Sequence, residues 1–381
     1  MSRPNTRVLV VDDSAVIRAM ISDVIQDADG FEVVGTASNG RKALATLDSL
    51  RPDVITLDLQ MPEMNGLETL DAILACRPTP VIIVSALTRA GAAITLEALD
   101  RGAIDYVAKP QSGADVCAAL GHDLLRKIRD AAGADVRRIL EIRRHRKIRR
   151  GERLSAKPPL HTPVVRPKFG TSPASICDFC IAIGISTGGP PALSALFEAM
   201  QPPLPPIVVV QHMPPQFTGP LSWRLNTISA LSIKEAAAGD ILRPNHVFIA
   251  PGGKHLRARR QGSIVKLAIS DGAPVSGHKP SIDVMMTSIA ETFGSRALGV
   301  IMTGMGRDGC EGCRQIRQAG GYILGQDEAT SDVYGMNKIA FVQGHVDRQF
   351  ALDEAAAVIG RQVRSMDAQR AARGRSDATE P

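Results

Sequence analysis

Short apolar runs alternate with helical patterns in the first third of the chain. The runs are Val8–Val11, Phe31–Val34, Val54–Leu57, Val81–Val84 and Ile104–Val107. Between them, apolar residues recur at spacings of three and four, a pattern typical of amphipathic helices. Strands that are apolar throughout and separated by helices predict a parallel sheet with helices on both faces. Residues 1–124 are therefore predicted to form a doubly wound α/β domain.

The second half of the chain repeats one arrangement three times: an apolar run followed by a small loop that carries a polar residue. Ile181–Gly184 leads to Ser186, Ile207–Gln211 leads to His212, and Ala297–Met302 leads to a Gly-rich loop that contains Asp308. In open parallel sheets the carboxyl ends of the strands share one edge, where ligands bind. Residues 177–360 are predicted to form a second, Rossmann-like doubly wound domain.

Charge separates these two regions. The net charge of the chain is +6, but residues 125–170 alone hold 15 Lys/Arg against 4 Asp/Glu. From Ser155 the segment turns rich in Pro, Thr and Ser, which is typical of an extended connector. We predict a basic linker over 125–176. Its cationic run, residues 137–150, could dock on receptor helices, anionic lipid or nucleic acid, or it could be a solvated hinge.

Composition narrows the possible functions. Aromatic residues make up 3% of the chain, which argues against a stacking platform for single-stranded nucleic acid. No apolar run approaches the length of a transmembrane helix, and the first residues lack the pattern of a signal peptide. We therefore expect a cytoplasmic protein whose six cysteines are reduced. The polar residues 361–381 are expected to form a flexible tail.

The stretch Gly184–Gly188 reads G-x-S-x-G, the pattern of a nucleophile elbow. Glycines allow the sharp turn from strand to helix and a close approach of substrate to the backbone. A tight βα turn or a phosphate-binding loop would have the same glycines. The stretch lacks the spacing of a dinucleotide fingerprint and the Lys-Ser/Thr of a P-loop.

Ser186, His212 and Asp308 are the residue types that nucleophilic catalysis requires. An imidazole that titrates near neutrality removes the serine proton, and a carboxylate fixes the tautomer of the imidazole. Their order differs from the Ser…Asp…His order of α/β-hydrolases. Other residues could fill two of these roles: His255 or His278 as the base, and Asp271, Asp283 or Asp327 as the orienting carboxylate. Oxyanion donors are expected at the Thr187 N–H and in the loop 303–306.

Polar residues also follow the strands predicted in the first domain. They are Asp12, Asp13, Asp58, Ser85 and Lys109. Clustered carboxylates suit Mg²⁺, which prefers hard oxygen ligands, and a carboxylate can accept a phosphoryl group. Any one of these acidic residues could instead be a solvated loop residue or a helix N-cap.

This set resembles the receiver domain of response regulators. The matching pieces are Val-Asp-Asp-Ser at 11–14, Asp58 with Met-Pro-Glu-Met-Asn-Gly at 61–66, Ser85-Ala86, and residues 102–110 ending in Lys109-Pro110. The resemblance implies a flavodoxin-like fold with Asp58 as phosphoacceptor. It also implies Mg²⁺ bound by Asp12, Asp13 and Asp58, and a switch formed by Ser85, Tyr106 and Lys109.

The second half resembles the CheB family of chemotaxis protein-glutamate methylesterases. The motifs are residues 184–190, Gln-His-Met-Pro at 211–214, residues 249–256 and Thr-Gly-Met-Gly-Arg-Asp-Gly at 303–309. The resemblance implies a triad of Ser186, His212 and Asp308, with Thr187 and Met305 at the oxyanion and substrate edge. It also implies demethylation of γ-glutamyl esters and deamidation of glutamines on chemoreceptors, without a cofactor for hydrolysis, and activation by a chemotaxis histidine kinase.

Two C-x-x-C pairs, Cys177/Cys180 and Cys310/Cys313, are the remaining metal candidates. Two such pairs can form a zinc site. We expect buried thiols instead, because the first pair begins the strand to Ser186 whereas the second follows Asp308 at the other end of the sheet. A competing function, a response regulator whose output domain binds nucleic acid, would explain the basic segment. It would leave Ser186, His212 and Asp308 without a role.

Overall fold

A computed structural model describes residues 5–86, 88–109, 114–144 and 178–376. The chain divides into two compact units, Met1–Leu154 and Ser155–Pro381, called here the N-terminal and C-terminal units. In the described residues, no helix combines the length and apolar character needed to cross a bilayer. Most of the basic linker, Cys177 and the last five residues lie outside the described ranges.

The N-terminal unit alternates strands and helices, as predicted. The strands are β1 (Thr6–Val11), β2 (Phe31–Ala37), β3 (Val54–Asp58), β4 (Val81–Ser85) and β5 (Asp105–Ala108). The helices are α1 (Ala15–Gln26), α2 (Gly40–Leu50), α3 (Gly66–Cys76), α4 (Arg89–Arg101) and α5 (Ala114–Ala132). Side-chain caps begin several of them; Asn65 and Glu68, for example, form a capping box at the start of α3.

The five strands form one parallel sheet in the order β2-β1-β3-β4-β5. This is the flavodoxin-like order, in which the ends of β1 and β3 lie next to each other at the switch point. Strands β3 and β4 are buried along their whole length, because helices cover both faces. The predicted fold class of this unit is confirmed.

The packed core of this unit continues beyond residue 124, where the sequence predicts the linker to begin. Helix α5 runs to Ala132, and a further helix, α6, is described over 136–144. Val136 and Ile139 of α6 join the core under the sheet. Arg143, one of the basic residues, is buried and donates to the backbone oxygen of Leu99 at 2.6 Å.

The C-terminal unit has nine strands and six α-helices in its described part. The strands are β6 (Cys180–Ile185), β7 (Ile207–Gln211), β8 (Ser232–Glu235), β9 (His246–Ile249), β10 (His255–Gln261), β11 (Ile264–Ser270), β12 (Ala297–Ile301), β13 (Tyr322–Gln326) and β14 (Arg348–Phe350). The helices are α7 (Gly189–Ala199), α8 (Pro215–Ile228), α9 (Ile282–Phe293), α10 (Cys310–Gln318), α11 (Met336–Val342) and α12 (Ala355–Ser376).

Seven of these strands form a parallel sheet in the order β14-β13-β12-β6-β7-β9-β8. Strand β6 lies in the middle, paired with β12 on one side and β7 on the other. The hairpin β10-β11 packs against α9, where the Ala258 N–H donates to Ser288 Oγ at 3.0 Å. The Rossmann-like prediction for this unit is confirmed, and the three predicted strand ends are neighbours.

The sequence predicts a flexible tail from residue 361, but the structure has a helix there as far as Ser376. Helix α12 continues through this segment, because Val363 and Met366 are apolar residues that become buried. An ion pair between Arg370 and Asp178 also ties the helix to the start of the unit. The polar composition of the segment gave no indication of this burial or of this ion pair.

The packing of α6 leads to a first prediction. Ile139→Ala should cost about 2–5 kcal/mol of the free energy of unfolding of the N-terminal unit, because it leaves a cavity in a closed core. Hydrogen exchange of the full chain would show faster exchange in β4, β5 and α5. The exposed neighbour Arg137→Ala is the control. Unchanged exchange in Ile139→Ala would contradict the packing of α6 on this core.

Candidate active site

Ser186 lies on a sharp turn directly after β6. Its N–H donates to the Thr303 oxygen at 3.0 Å, and the Gly189 N–H donates back to the Ser186 oxygen at 2.8 Å. Gly188 has a φ of +78°, in the left-handed region that glycine adopts without strain. Helix α7 then starts at Gly189, so the hydroxyl sits beside a helix N-terminus. The predicted elbow is present.

His212 follows β7, the strand next to β6. Its Nδ1 lies 3.2 Å from Ser186 Oγ. Gln211 supports this corner: its Nε2 donates to the Ser186 oxygen at 3.0 Å and to the His212 oxygen at 3.2 Å. The two strand ends are therefore tied together by one side-chain amide.

Asp308 reaches His212 from the loop after β12. Its Oδ2 lies 2.8 Å from His212 Nε2, and its side chain is fully buried. The start of α9 supplies three further donors: Ser281 Oγ–H to Oδ1 at 2.8 Å, Ile282 N–H to Oδ2 at 2.7 Å, and Asp283 N–H to Oδ1 at 3.1 Å. Burial opposes ionisation, but the hydrogen bond from His212 and these backbone donors lower the pKa of Asp308 well below its usual range.

This geometry has a consequence for the tautomer of His212. Because ionised Asp308 accepts only, Nε2 of the neutral ring carries the proton and Nδ1 accepts from the Ser186 hydroxyl. Chymotrypsin-type triads use the two ring nitrogens in the opposite sense. A hydroxyl, an imidazole and a carboxylate joined in this way can support nucleophilic attack on a carbonyl group.

The two alternative histidines lie nearby but have other partners. His278 stacks on the His212 ring, with centroids 3.9 Å apart and an angle of 12° between the planes. His255 is buried; its Nε2 faces the Ala273 oxygen at 2.9 Å, and its Nδ1 accepts from the Ser281 N–H at 3.2 Å. Of these three rings, the one that bridges Ser186 and Asp308 is His212.

The alternative carboxylates differ from Asp308 in their contacts. Asp271 is exposed and pairs with Lys279 at 2.9 Å. Asp327 accepts from the Thr330 N–H at 2.9 Å. Asp283 lies next to Asp308 and accepts backbone hydrogen bonds from the turn after it.

Thr187 and Met305 lie on the two loops that border the serine. Thr187 is the next residue along the elbow, and its backbone oxygen accepts from the Thr303 hydroxyl at 3.0 Å. Met305 is half-buried and follows Gly304, where an added Cβ would lie 2.7 Å from the Ser186 Cβ. Their predicted roles at the oxyanion remain predictions.

The sequence analysis did not assign roles to Gln211 or Ser281. A signal existed for both. Gln211 is the last residue of the apolar run before His212, and a polar residue that ends a buried strand usually has a buried partner. Ser281 precedes Ile282-Asp283, which is the pattern of a helix N-cap with an acidic first turn.

The polar cluster of the N-terminal unit also forms. One carboxylate oxygen from each of Asp12, Asp13 and Asp58 lies within 4.8 Å of the others. Lys109 Nζ lies 2.8 Å from both Asp12 Oδ2 and Asp58 Oδ2. Burial, together with the charge of Asp12, raises the pKa of Asp58 although Lys109 opposes this. A hard-oxygen set with excess negative charge fits Mg²⁺.

Ser85 and Tyr106 lie on the neighbouring strands β4 and β5. The Ser85 hydroxyl donates to the Gly91 oxygen at 3.4 Å. The Tyr106 ring is buried, with Lys127 Nζ 4.9 Å from its centroid. The structure thus places Ser85 at the carboxyl end of β4, next to the end of β3 that carries Asp58, and Tyr106 within β5, three residues before Lys109.

Three of the four paired cysteines are described. Cys180, Cys310 and Cys313 are buried thiols in the core of the C-terminal unit. Burial raises the pKa of each. Cys177 lies outside the described residues, so the first C-x-x-C pair is described in one member.

Fold and site together define a response-regulator receiver followed by an α/β unit with a Ser-His-Asp site. Family models agree: the response regulator receiver domain matches residues 8–121, and the CheB methylesterase matches residues 181–359. A protein-glutamate methylesterase/protein-glutamine glutaminase of Archaeoglobus fulgidus is 42% identical, over 89% of this chain and 93% of its own. The chain belongs to the CheB methylesterase family.

Further relatives carry the same name. One from Caulobacter vibrioides is 42% identical, over 91% of this chain and 94% of its own. Two Thermotoga maritima crystal structures are also similar. The CheB methylesterase catalytic domain is 35% identical with a TM-score of 0.47, covering 48% of this chain and 96% of that one. The CheB response regulator domain is 46% identical with a TM-score of 0.33, covering 35% and 99%.

The close approach of Gly304 to the elbow leads to a second prediction. Gly304→Ala should slow labelling of Ser186 by a fluorophosphonate about 100-fold, because the added methyl group displaces the serine. Gly219→Ala is the matched control, since its added Cβ would meet nothing closer than 3.7 Å. Equal labelling of both variants would show that this approach does not fix Ser186.

Proposed function

We propose that this chain is a serine hydrolase that demethylates glutamate γ-methyl esters and deamidates glutamines on the cytoplasmic helices of chemoreceptors. The observation that carries the proposal is the continuous contact from Ser186 Oγ to His212 Nδ1 at 3.2 Å and from His212 Nε2 to Asp308 at 2.8 Å. The names of the relatives at about 40% identity specify the substrate class.

In the first half-reaction, Ser186 Oγ attacks the γ-carbonyl carbon while its proton moves to His212 Nδ1. The imidazolium then gives that proton to the leaving methoxide, so methanol departs and a γ-glutamyl ester of Ser186 remains. With glutamine as the substrate, the leaving group is ammonia. Asp308 remains ionised and stabilises the imidazolium through Nε2–H.

In the second half-reaction, His212 Nδ1 takes a proton from water, which attacks the acyl carbon. The tetrahedral intermediate collapses, Ser186 recovers its proton from the ring, and glutamate is released. The Thr187 N–H is the proposed donor to the oxyanion. The loop at Met305 is proposed to border the oxyanion and the substrate. These steps use side chains and backbone of this chain, and hydrolysis in this scheme needs no cofactor.

The N-terminal unit is proposed to control this activity. Asp58 accepts a phosphoryl group from a chemotaxis histidine kinase. Asp12, Asp13 and Asp58 would hold Mg²⁺, and the ion would supply positive charge opposite the phosphoryl oxygens. Lys109 binds the same oxygens. Ser85 and Tyr106 are the proposed switch pair, which responds to phosphorylation of Asp58 and changes the surface of the unit. Residues 1–124, 125–176 and 177–360 are the proposed receiver, linker and catalytic domains, and the first part of the proposed linker, including α6, packs on the receiver core.

Ser186→Ala should reduce methanol release from methylated receptor membranes by about 1,000-fold or more, because the nucleophile is lost. Headspace detection of labelled methanol measures this release directly. Ser194→Ala, which removes a hydroxyl from the helix α7 that follows the elbow, should retain normal release. Undiminished release by Ser186→Ala would exclude the triad as the source of activity.

Phosphorylation should stimulate methanol release in the wild type and not in Asp58→Asn. A small-molecule phosphodonor with Mg²⁺ supplies the phosphoryl group, and the ratio of rates with and without the donor is the measurement. Asp48→Asn, a change at an exposed carboxylate of the same unit, should keep the stimulation. Equal stimulation of Asp58→Asn would rule out Asp58 as the switch.

A further inference from the structure

Asp283 is a half-buried carboxylate beside the triad that the proposed reaction does not use. It lies in the first turn of α9, and its own N–H is one of the three donors from this helix start to Asp308. Its Oδ1 accepts from the Gly309 N–H and from the Gly312 N–H, each at 2.8 Å. Both donors belong to the start of α10, so Asp283 binds the N-terminus of the helix that follows Asp308.

The N-terminus of each of the two helices, α9 and α10, is therefore bound by a carboxylate from the other segment. Asp308, from the loop before α10, binds the N-terminus of α9, while Asp283, from α9, binds the N-terminus of α10. Gly309 is the residue directly after Asp308, with a φ of +94°. The side chain of Asp308 and the peptide that follows it are thus held by the same turn of α9, which leaves this corner little freedom to rotate.

Close packing of α9 against α10 makes these two contacts possible. A Cβ added at Gly312 would lie 2.6 Å from the Met286 side chain and 3.3 Å from the Asp283 Cα. Helices α9 and α10 can approach this closely because glycine stands at that position. The short separation brings the Gly312 N–H within reach of Asp283.

The ionisation of Asp283 is coupled to this surrounding. Burial and the neighbouring Asp308 charge raise the pKa of Asp283 to about 7, although the Gly312 and Gly309 N–H groups oppose this. The charge of Asp283 also contributes to raising the pKa of the Cys310 and Cys313 thiols on α10. Arg307 and Glu311 act electrostatically on Cys310, and Asp308 contacts His212, on whose ring His278 stacks.

We propose that Asp283 is a positioning residue for the triad: it fixes the Asp308–Gly309 corner, and its negative charge adds to the charge that Asp308 presents to His212. The inference rests on the proposed function. As the pH rises through neutrality, Asp283 ionises, and the added charge favours the protonated imidazole.

Two substitutions separate the two effects. Asp283→Asn keeps an oxygen that accepts from Gly309 and Gly312 and removes the charge. Asp283→Ala removes both the acceptor and the charge. Glu291→Gln is the matched control, since it changes an exposed carboxylate on the same helix α9 to an amide.

Methanol release is measured as kcat and KM across pH 5–9, together with the NMR titration of the His212 ring, assigned with His212→Gln. In Asp283→Asn we expect the acidic limb of kcat/KM and the ring titration to move about 0.5–1 pH unit lower, with kcat within about threefold of wild type. In Asp283→Ala we expect the same shift and a kcat lower by about 100-fold with KM unchanged.

The outcomes are distinguishable. If the wild type releases no methanol, or if release does not require Ser186, the proposed function fails. If release requires Ser186 but Asp283→Asn titrates like Glu291→Gln, the inference about Asp283 is overturned and the proposed function stands. If Asp283→Ala does not fold, the Asp283→Asn titration decides the question, because that variant keeps both hydrogen bonds.

Discussion

The site of the C-terminal unit depends on burying the charge of Asp308. An isolated carboxylate in a protein interior loses far more hydration energy than a fold of this size can spare. Here the N-terminus of α9 supplies two N–H groups and a serine hydroxyl, and His212 supplies a fourth donor. These donors replace water and keep the carboxylate ionised. They also fix its orientation, and with it the position of the imidazole that it binds.

Sheet order makes this contact possible. Strand β6 lies between β12 and β7, so the serine turn is flanked by the loop that carries Asp308 and by the turn that carries His212. An added Cβ at Gly184 would lie 2.3 Å from Ile282, so glycine in β6 lets the start of α9 come down onto the strand ends. The same helix then reaches Asp308. One small residue in the central strand thus governs the position of the carboxylate.

The two units treat buried carboxylates differently. Asp58 is raised in pKa because burial outweighs the donors around it, whereas Asp308 is lowered because N–H and O–H donors surround it. The Asp58 environment suits a group that receives a cation and a phosphoryl group and changes its charge state. The Asp308 environment suits a group that keeps one charge throughout a reaction cycle. In this chain the two environments occur together.

The amino-acid sequence determined the alternation of strands and helices in both units, the elbow at Ser186 and the acidic cluster at Asp58, because these depend on local pattern and on the shared edge of a parallel sheet. It left His255, His278, Asp271, Asp283 and Asp327 as alternatives, since the side chains that meet depend on strand order and on where α9 begins. It also missed the buried faces of α6 and α12, whose apolar contacts are few among many charges. Only the tertiary structure decided that Asp308 binds the N-terminus of α9 and that Asp283 binds the N-terminus of α10. Most of the donors in these contacts are backbone N–H groups, which nearly every residue type carries, so the sequence does not mark them.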